Sequence, residues 1–391
     1  MDISNLNKIF FEKYNNRNEK PVIFFSPGRV NLIGEHTDYN GGFVFPCAIN
    51  YGTYLVIRKT EDPIIRFSTL NFNEDSSVAL PAEGLFVNTG QKWINYPLGV
   101  MNEFIARGAV LPGMDLLFSG DIPNGAGLSS SASIEMVTAV ALNELLDQQL
   151  DMLELVKMSQ RAENHFVGMN CGIMDQFAVG FGSKDHAIAL DCDTLEYKNV
   201  PLILGGHSLI IANTNKRRGL TDSKYNERRA ECESAVELLQ TYRPLRNLGE
   251  LDSNDIPALG KFIDDAVIRK RAHHVITENA RVKEAVKVLM DNDLRRFGEL
   301  MTESHDSLRD DYEVTGFELD TLAGEAIKLP GVLGSRMTGA GFGGCTVSIV
   351  ESGSVDQFIS ELGRVYFEKT GLKADFYRPL IGDGARMIYP G

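Results

Sequence analysis

Hydrophobic positions along this chain follow two periods, interleaved from one end to the other. After a helix-like opening, short apolar and β-branched runs at 22–25, 52–59, 64–72, 114–118, 186–190, 345–350 and 374–378 read as strands. Between them Ile134, Val137, Ala141 and Leu145, and then Leu155, Met158, Ala162 and Phe166, recur at helical spacing. From 227 to 330 the helical period dominates, in segments at 230–239, 276–291, 293–301 and 317–328. Periodicity alone therefore predicts mixed strands and helices. The apolar stretch at 201–212 is where one domain is expected to give way to the next, dividing the chain into 1–200 and 201–391. No Pro, Gly or Ser linker marks that boundary, and no internal repeat or low-complexity segment interrupts the pattern.

One junction between a strand and a helix stands out. Gly120-Asp-Ile-Pro-Asn-Gly-Ala-Gly-Leu-Ser-Ser-Ser-Ala-Ser-Ile-Glu135 joins the run at 114–118 to the stripe that begins at Ile134. Gly125 and Gly127 carry no Cβ, so backbone there can adopt positive φ and approach a ligand closely. Ser129, Ser130 and Ser131 then lead into a helix whose N-terminus we expect serine to cap. Free N–H groups and the positive end of the dipole suit phosphate, although an ordinary loop with a serine cap has the same composition. Two familiar phosphate motifs are excluded. The Gly260-Lys261 pair has Asp255 where a Walker loop needs its first glycine. The pattern Gly339, Gly341, Gly344 matches a dinucleotide fingerprint literally, but a strand-like run follows it where that fingerprint requires a helix.

Composition narrows the classes. With 391 residues, 43% hydrophobic and 24% charged, the chain is long enough for two full cores and ordinary for a globular protein. A formal charge of −14 disfavours nucleic acid or an anionic membrane as partner, so an anionic ligand needs a locally basic site. Cys47, Cys171, Cys192, Cys232 and Cys345 are scattered, odd in number and without a C-x-x-C pair, which argues against a disulfide framework or a zinc site. With no basic-then-apolar leader and no run long enough to span a bilayer, a cytoplasmic protein with reduced thiols is expected.

The segment Ser26-Pro-Gly-Arg-Val-Asn-Leu-Ile-Gly-Glu-His-Thr-Asp-Tyr-Asn-Gly-Gly42 crowds Arg29, Glu35, His36, Asp38, Tyr39 and Asn40 between glycines. Loops so rich in directional groups bind ligands, and Glu35, His36 and Asp38 offer the donors and acceptors that grip several sugar hydroxyls. An exposed turn held by Asp38 and Asn40 on their own backbone is the alternative. Asp175 lies among Ile173, Met174, Phe177, Ala178 and Val179, so its carboxylate loses water and needs a partner, for which the two-pronged Arg29 is the candidate. A helix cap is its alternative role. Glu163 borders the stripe that ends at Phe166, where a carboxylate aimed at the loop suits Mg²⁺ and a solvated helix face is the simpler explanation. Trp93 could wall an adenine pocket or pack half-buried. Basic residues at 215–218 and 228–229 are read as a solvated face, and His305 as a packed histidine.

Two of these stretches carry a family resemblance. Gly28-Arg-Val-Asn-Leu-Ile-Gly-Glu-His-Thr-Asp-Tyr-Asn-Gly-Gly42 resembles the signature of galactokinases, and Pro123-Asn-Gly-Ala-Gly-Leu-Ser-Ser-Ser-Ala132 resembles the ATP loop of the wider galactokinase, homoserine kinase, mevalonate kinase and phosphomevalonate kinase superfamily. Cys171-Gly-Ile-Met-Asp-Gln176 and Met337-Thr-Gly-Ala-Gly-Phe-Gly-Gly344 are similar to two more of its elements, so the resemblance spans essentially the whole chain. It implies an α+β fold of two domains, the N-terminal one like ribosomal protein S5 domain 2 and the C-terminal one ferredoxin-like, with the active site in the cleft between them. It also implies transfer of phosphate from ATP to the anomeric hydroxyl of α-D-galactose, the first committed step of galactose use by the Leloir pathway. Asp175 would be the base and Arg29 its partner. Glu35, His36, Thr37, Asp38 and Tyr225 would hold the sugar. Ser68, Gly125, Ala126, Gly127, Leu128, Ser129, Ser130 and Ser131 would hold ATP, and Ser131 with Glu163 would bind Mg²⁺. Galactose and Mg-ATP are then the expected partners of a monomer. An N-acetylgalactosamine kinase, a non-catalytic galactose- and ATP-binding transcriptional sensor and a purely structural protein are the three rivals. The intact Thr37, Asn40-Gly41-Gly42 and Leu128-Ser-Ser-Ser-Ala-Ser133 stretches weigh against the first two, and Arg29, Glu163 and Asp175 together in one chain against the third.

Overall fold

The computed structural model of the protein describes residues 3–15, 19–72, 74–90, 92–123, 126–216 and 221–389. Gly125, one of the expected phosphate-loop residues, and Arg217 and Arg218 of the basic cluster lie outside the described residues.

Alternation along three neighbouring strands builds the first core. In Val22–Asn31, Pro46–Thr60 and Gly113–Gly120, Phe24, Leu55, Ile57 and Leu116 point to one face, while Ile23, Val56 and Leu117 point to the other. The first face is covered by the helices Asn95–Ala106, Ser130–Leu145, Met152–Arg161 and Met174–Phe181, and the second by Leu6, Phe10 and Tyr14 of the opening helix Ile3–Tyr14. The sheet is six-stranded, in the order Arg386–Tyr389, Val22–Asn31, Pro46–Thr60, Gly113–Gly120, Ile64–Thr69, Asp75–Ala79. Its pairs are antiparallel except that between Ile64–Thr69 and Gly113–Gly120. Its edge strand Arg386–Tyr389 comes from the end of the chain, so residues 386–389 share a sheet with the N-terminal half.

A second sheet, in the order Val332–Thr338, Cys345–Glu351, His207–Asn213, Asp375–Tyr377, is antiparallel throughout. Its alternation also serves two cores. Ile210, Ala212 and Val350 meet the helices Phe317–Ala326 and Val355–Thr370, whereas Leu209, Ile211, Val347 and Ile349 meet Ala266–Met290 and Leu294–Ser307. The latter cluster runs on into Val30, Leu32, Cys47 and Ile49, so one continuous apolar core joins the two halves of this α+β structure. A small sheet of Phe43–Val44, His186–Asp191 and Tyr197–Pro201 completes it.

Three local features depart from the sequence patterns. The strand that begins at Val22 continues to Asn31 with a register shift between Pro27 and Arg29, so Arg29 stands on a sheet and not in a loop. The helix expected over 151–166 is α-helical only over Met152–Arg161 and widens into a π-helical turn at Ala162–Val167, which contains Glu163; such turns are frequent at functional sites. At the helix Ser130–Leu145 the expected serine cap is not made: Ser129 occupies the N-cap position, but its side chain accepts no helical N–H.

Candidate active site

Sheet, helix and loop converge on one polar cavity of about 250 Å³. Arg29 reaches it from the strand Val22–Asn31 and Asp175 from the first turn of the helix Met174–Phe181. The guanidinium donates from Nε at 2.8 Å and Nη2 at 2.7 Å to Oδ1 of Asp175, and from Nη1 to the Gly127 carbonyl at 2.7 Å. Oδ2 of Asp175 accepts from the Ser129 hydroxyl at 2.6 Å. Asp175 keeps 26% of its side chain exposed against 5% for Arg29, so the pair is anchored at the cationic end and open at the anionic one. Asp175 is thus an arginine partner in the first helical turn and not a cap.

The polar loop that follows Arg29 is held from behind by residues far along the chain. Glu278 on the helix Ala266–Met290 accepts the Gly34 and Glu35 amides at 2.8 and 3.3 Å, and Asn279 accepts the Phe43 amide at 2.8 Å. His274 meets the Glu35 carbonyl at 3.1 Å. Glu35 itself is 1% exposed and takes the Gly339 amide at 2.7 Å, with Arg336 at 3.4 Å. Burial raises its carboxyl above the usual range while Arg336 and Arg29 pull it back. The third glycine motif thereby meets both of the others. Gly339 has φ +86, and a Cβ there would lie 2.9 Å from the Gly127 carbonyl oxygen, a contact closed to any larger residue.

His36 lies in a chain of hydroxyls. Its Nε2 bonds the Ala340 carbonyl at 3.2 Å, so this nitrogen carries the proton, and Nδ1 accepts from Tyr39, which in turn lies 2.8 Å from the Tyr312 hydroxyl. Burial drives the imidazole down to about 3, keeping it neutral. The Tyr225 ring packs 5.7 Å from His36 and 5.3 Å from Tyr39. Asp38 faces the cavity beside Gly172, where a Cβ would come within 2.0 Å of its Oδ2. Burial, with the Asp175 charge adding to it, pushes the Asp38 carboxyl up to about 7.

A carboxyl cluster lies under the Ser129–Ser131 turn. Gln176 donates from one amide nitrogen to Glu163 at 2.6 Å and Glu135 at 3.0 Å, and the Ser131 hydroxyl bonds Glu163. Burial, followed by the Asp175 charge, raises Glu163; burial, followed by Glu163, raises Glu135 well above the carboxylate range. Oε1 of Glu135 and Oε1 of Gln176 are buried without a hydrogen-bond partner among the described residues. Oxygen donors crowded in this way are of the type that suits a hard divalent cation.

A second cavity of about 210 Å³ lies on the other side of the same turn, lined by Thr69, Phe72, Trp93, Tyr96 and Phe118. Ser130 and Ser131 line both cavities. Trp93 packs edge-on against Phe67 and Phe118, and its buried indole N–H has no partner among the described residues.

Arg29, Glu35, His36, Asp38, Gly127, Ser129, Ser130, Ser131, Glu163, Asp175 and Tyr225 therefore share the polar cavity. Four expected residues do not line it. Thr37 is fully buried behind the loop, donating to the Gly34 and Phe43 carbonyls. Ala126 and Leu128 belong to the core under the turn. Ser68 accepts the Tyr14 hydroxyl at 2.6 Å, because strand alternation turns it away from the aromatic cavity and brings its neighbour Thr69 there instead.

Known proteins match the segments that build this site. The family model for the galactokinase galactose-binding signature matches residues 8–59, and those for the GHMP kinases N terminal domain and GHMP kinases C terminal match 95–183 and 282–368. The galactokinase of Fusobacterium nucleatum is 54% identical over 99% of this chain and 100% of its own length. That of Clostridium acetobutylicum is 52% identical, with coverage of 99% and 100%. The chain belongs to the galactokinase family. A crystal structure of the Lactococcus lactis galactokinase complexed with galactose superposes with a TM-score of 0.95 at 45% identity, covering 99% of this chain and 100% of that one. Among the residues that build the two cavities and brace the loop, the sequence patterns gave no role to Glu135, Gln176, Glu278 and Thr69. Glu135 had a signal: a carboxylate between Ile134 and Met136, on the helix stretch 132–142 whose other residues are small or apolar or a threonine. Glu278 had none, since the loop amides that it accepts lie more than 240 residues away.

Proposed function

We propose that this member of the galactokinase family is a sugar kinase that transfers the γ-phosphoryl group of ATP to the anomeric hydroxyl of α-D-galactose. The observation that carries this reading is the meeting of two cavities at Ser130 and Ser131, with the Arg29–Asp175 pair in the polar one and an aromatic wall in the other. Galactose lies in the polar cavity against Glu35, His36, Asp38 and Tyr225, and the adenine ring lies against Trp93, Tyr96 and Phe118.

Phosphoryl transfer requires alignment and charge neutralisation more than covalent chemistry. The helix N-terminus at Ser129–Ser131 directs N–H groups and a positive dipole end at the phosphates. The anomeric oxygen attacks the γ-phosphorus, its bond to the bridging oxygen of ADP breaks, and the hydroxyl proton passes to Oδ2 of Asp175. Arg29 stays on Oδ1 throughout and balances the charge. We assign Glu163 and Ser131 as the chain's ligands for Mg²⁺, which when bound would neutralise charge on the phosphates. Among the described residues no three His, Cys, Asp or Glu side chains form a metal-holding group, and an ion held by Glu163 and Ser131 would draw its other ligands from water and phosphate. No described helix is long and apolar enough to cross a membrane. A monomer in the cytoplasm and a division between halves near residue 200 belong to the same proposal.

ADP release with Mg-ATP and a panel of sugars, wild type beside Asp175→Ala, tests this reading. Galactose-dependent ADP release that disappears in the variant is expected. Preference for N-acetylgalactosamine, or galactose binding without turnover, overturns it.

A further inference from the structure

Ser129 departs from the role that its place in the loop suggests. It stands at the N-cap of Ser130–Leu145, where a serine side chain ordinarily accepts a helical N–H, yet it makes no such bond. Its backbone lies in the left-handed region, at φ 62 and ψ 48. A residue with a Cβ holds that conformation only where its surroundings impose it. The consequence here is direction: the hydroxyl is carried across to Asp175, donating to Oδ2 at 2.6 Å, with Ser129 only 6% exposed. Arg29 bonds Oδ1 alone, through two nitrogens. One carboxylate oxygen is therefore held by a cation and the other by a neutral hydroxyl, which occupies one of its two lone pairs.

We infer that Ser129 is a positioning residue for the base. Its hydroxyl fixes the rotation of the Asp175 carboxylate so that the second lone pair of Oδ2 faces the sugar's hydroxyl. Its constrained backbone ties that orientation to Ser130 and Ser131, the two residues common to both cavities. Phosphate seated on this turn and sugar seated against Asp175 are thus registered to each other through one side chain. The inference rests on the kinase reading and assigns Ser129 a task distinct from holding phosphate.

Steady-state kinetics of Ser129→Ala and Ser129→Gly against wild type, with kcat expressed per folded active site, test it. Glycine adopts the left-handed backbone freely, so the second variant loses the hydroxyl without straining the turn. In both variants kcat falls about tenfold or more, and each KM stays within about threefold. A serine serving only the fold would lower the amount of active enzyme and leave kcat per active site in place. An unchanged kcat per active site in both variants overturns the inference, as does a change confined to the KM for ATP. Wild-type protein without galactose-dependent ADP release would overturn the kinase reading, and this inference with it.

Discussion

Two arginines of the first sheet, Arg58 and Arg29, each hold an aspartate, and the two pairs are built from the same chemistry to opposite ends. Arg58 and Asp115 face each other across adjacent strands, 0% and 1% exposed, with Nε and Nη2 of the arginine on one carboxylate oxygen at 3.1 and 2.9 Å. Arg66 takes the other oxygen at 3.3 Å, the Tyr14 and Asn15 carbonyls take further N–H bonds, and the Phe10 ring lies 5.1 Å from the guanidinium. Both oxygens of that aspartate are committed to cations. In the Arg29–Asp175 pair, by contrast, the cation binds one oxygen, a serine hydroxyl the other, and the carboxylate opens onto a cavity. The difference lies in what remains unpaired. A closed pair fastens strands together, whereas an open one leaves a lone pair free to accept a proton.

Replacing each aspartate breaks the comparison most sharply. Asp175→Asn is expected to lower kcat by about a thousandfold, within the range of a lost general base, while the thermal midpoint moves only a few degrees. Asp115→Asn leaves Arg58 buried beside a neutral group and is expected to destabilise the protein by roughly 3 to 5 kcal/mol in urea, with kcat of the folded enzyme unchanged. Equal effects of the two on kcat would erase the distinction.

Glu278 sharpens the closed case, because it is a buried carboxylate that ties the two halves together. Burial alone would raise it, but Arg281 foremost, with His274 and Arg336, overcomes burial and holds it at about 2 against an ordinary 4.5. A carboxyl depressed by folding contributes stability that is complete above about 4.5 and lost as the pH falls towards about 2. Glu278→Gln is therefore expected to cost about 3 kcal/mol at neutral pH, from a shift of this size. Urea denaturation should show the gap to wild type constant from neutral pH down to the ordinary carboxylate range and narrowing below it. The KM for galactose should also rise, since the Gly34 and Glu35 amides lose a charged acceptor.

Asp38 supplies the open case without a cation. Its carboxyl, raised to about 7 from an ordinary 3.8, binds more protons folded than unfolded between those values, so wild-type stability falls as the pH rises through that window. Asp38→Asn removes the penalty. The variant's thermal midpoint should equal that of wild type in acid and exceed it by a few degrees above neutrality, the smallest of these effects. A midpoint difference independent of pH would show that Asp38 is paired after all.

The chemistry of the site was legible wherever it sits in one continuous stretch. Arg29, Glu35, His36 and Asp38 fall within ten residues, and the serine turn within three, so spacing and residue type announce a ligand site before any fold is known. Asp175 was legible as a carboxylate in apolar company that needs a cation, and the ion pair with Arg29 met that need across 146 residues. Strand positions next to each other were harder: Ser68 and Thr69 differ by one step of a pleat, and only the position of the sheet decides which of them faces the aromatic cavity. The serine at the helix start looked like a cap because residue type favours caps, but a left-handed backbone redirected it.

By itself, then, the sequence determined which groups are available, which segments alternate and which coil, and that the glycine-rich turns can approach a ligand. Those properties depend on residue type and on neighbours a few positions away. Tertiary structure alone decided that Glu278, Asn279 and His274 brace the sugar loop, that Gly339 closes on Gly127, and that one arginine–aspartate pair is sealed while the other stays open. Each of these is a contact between residues far apart in the chain, and its energy exists only once the two cores have packed and excluded water around it.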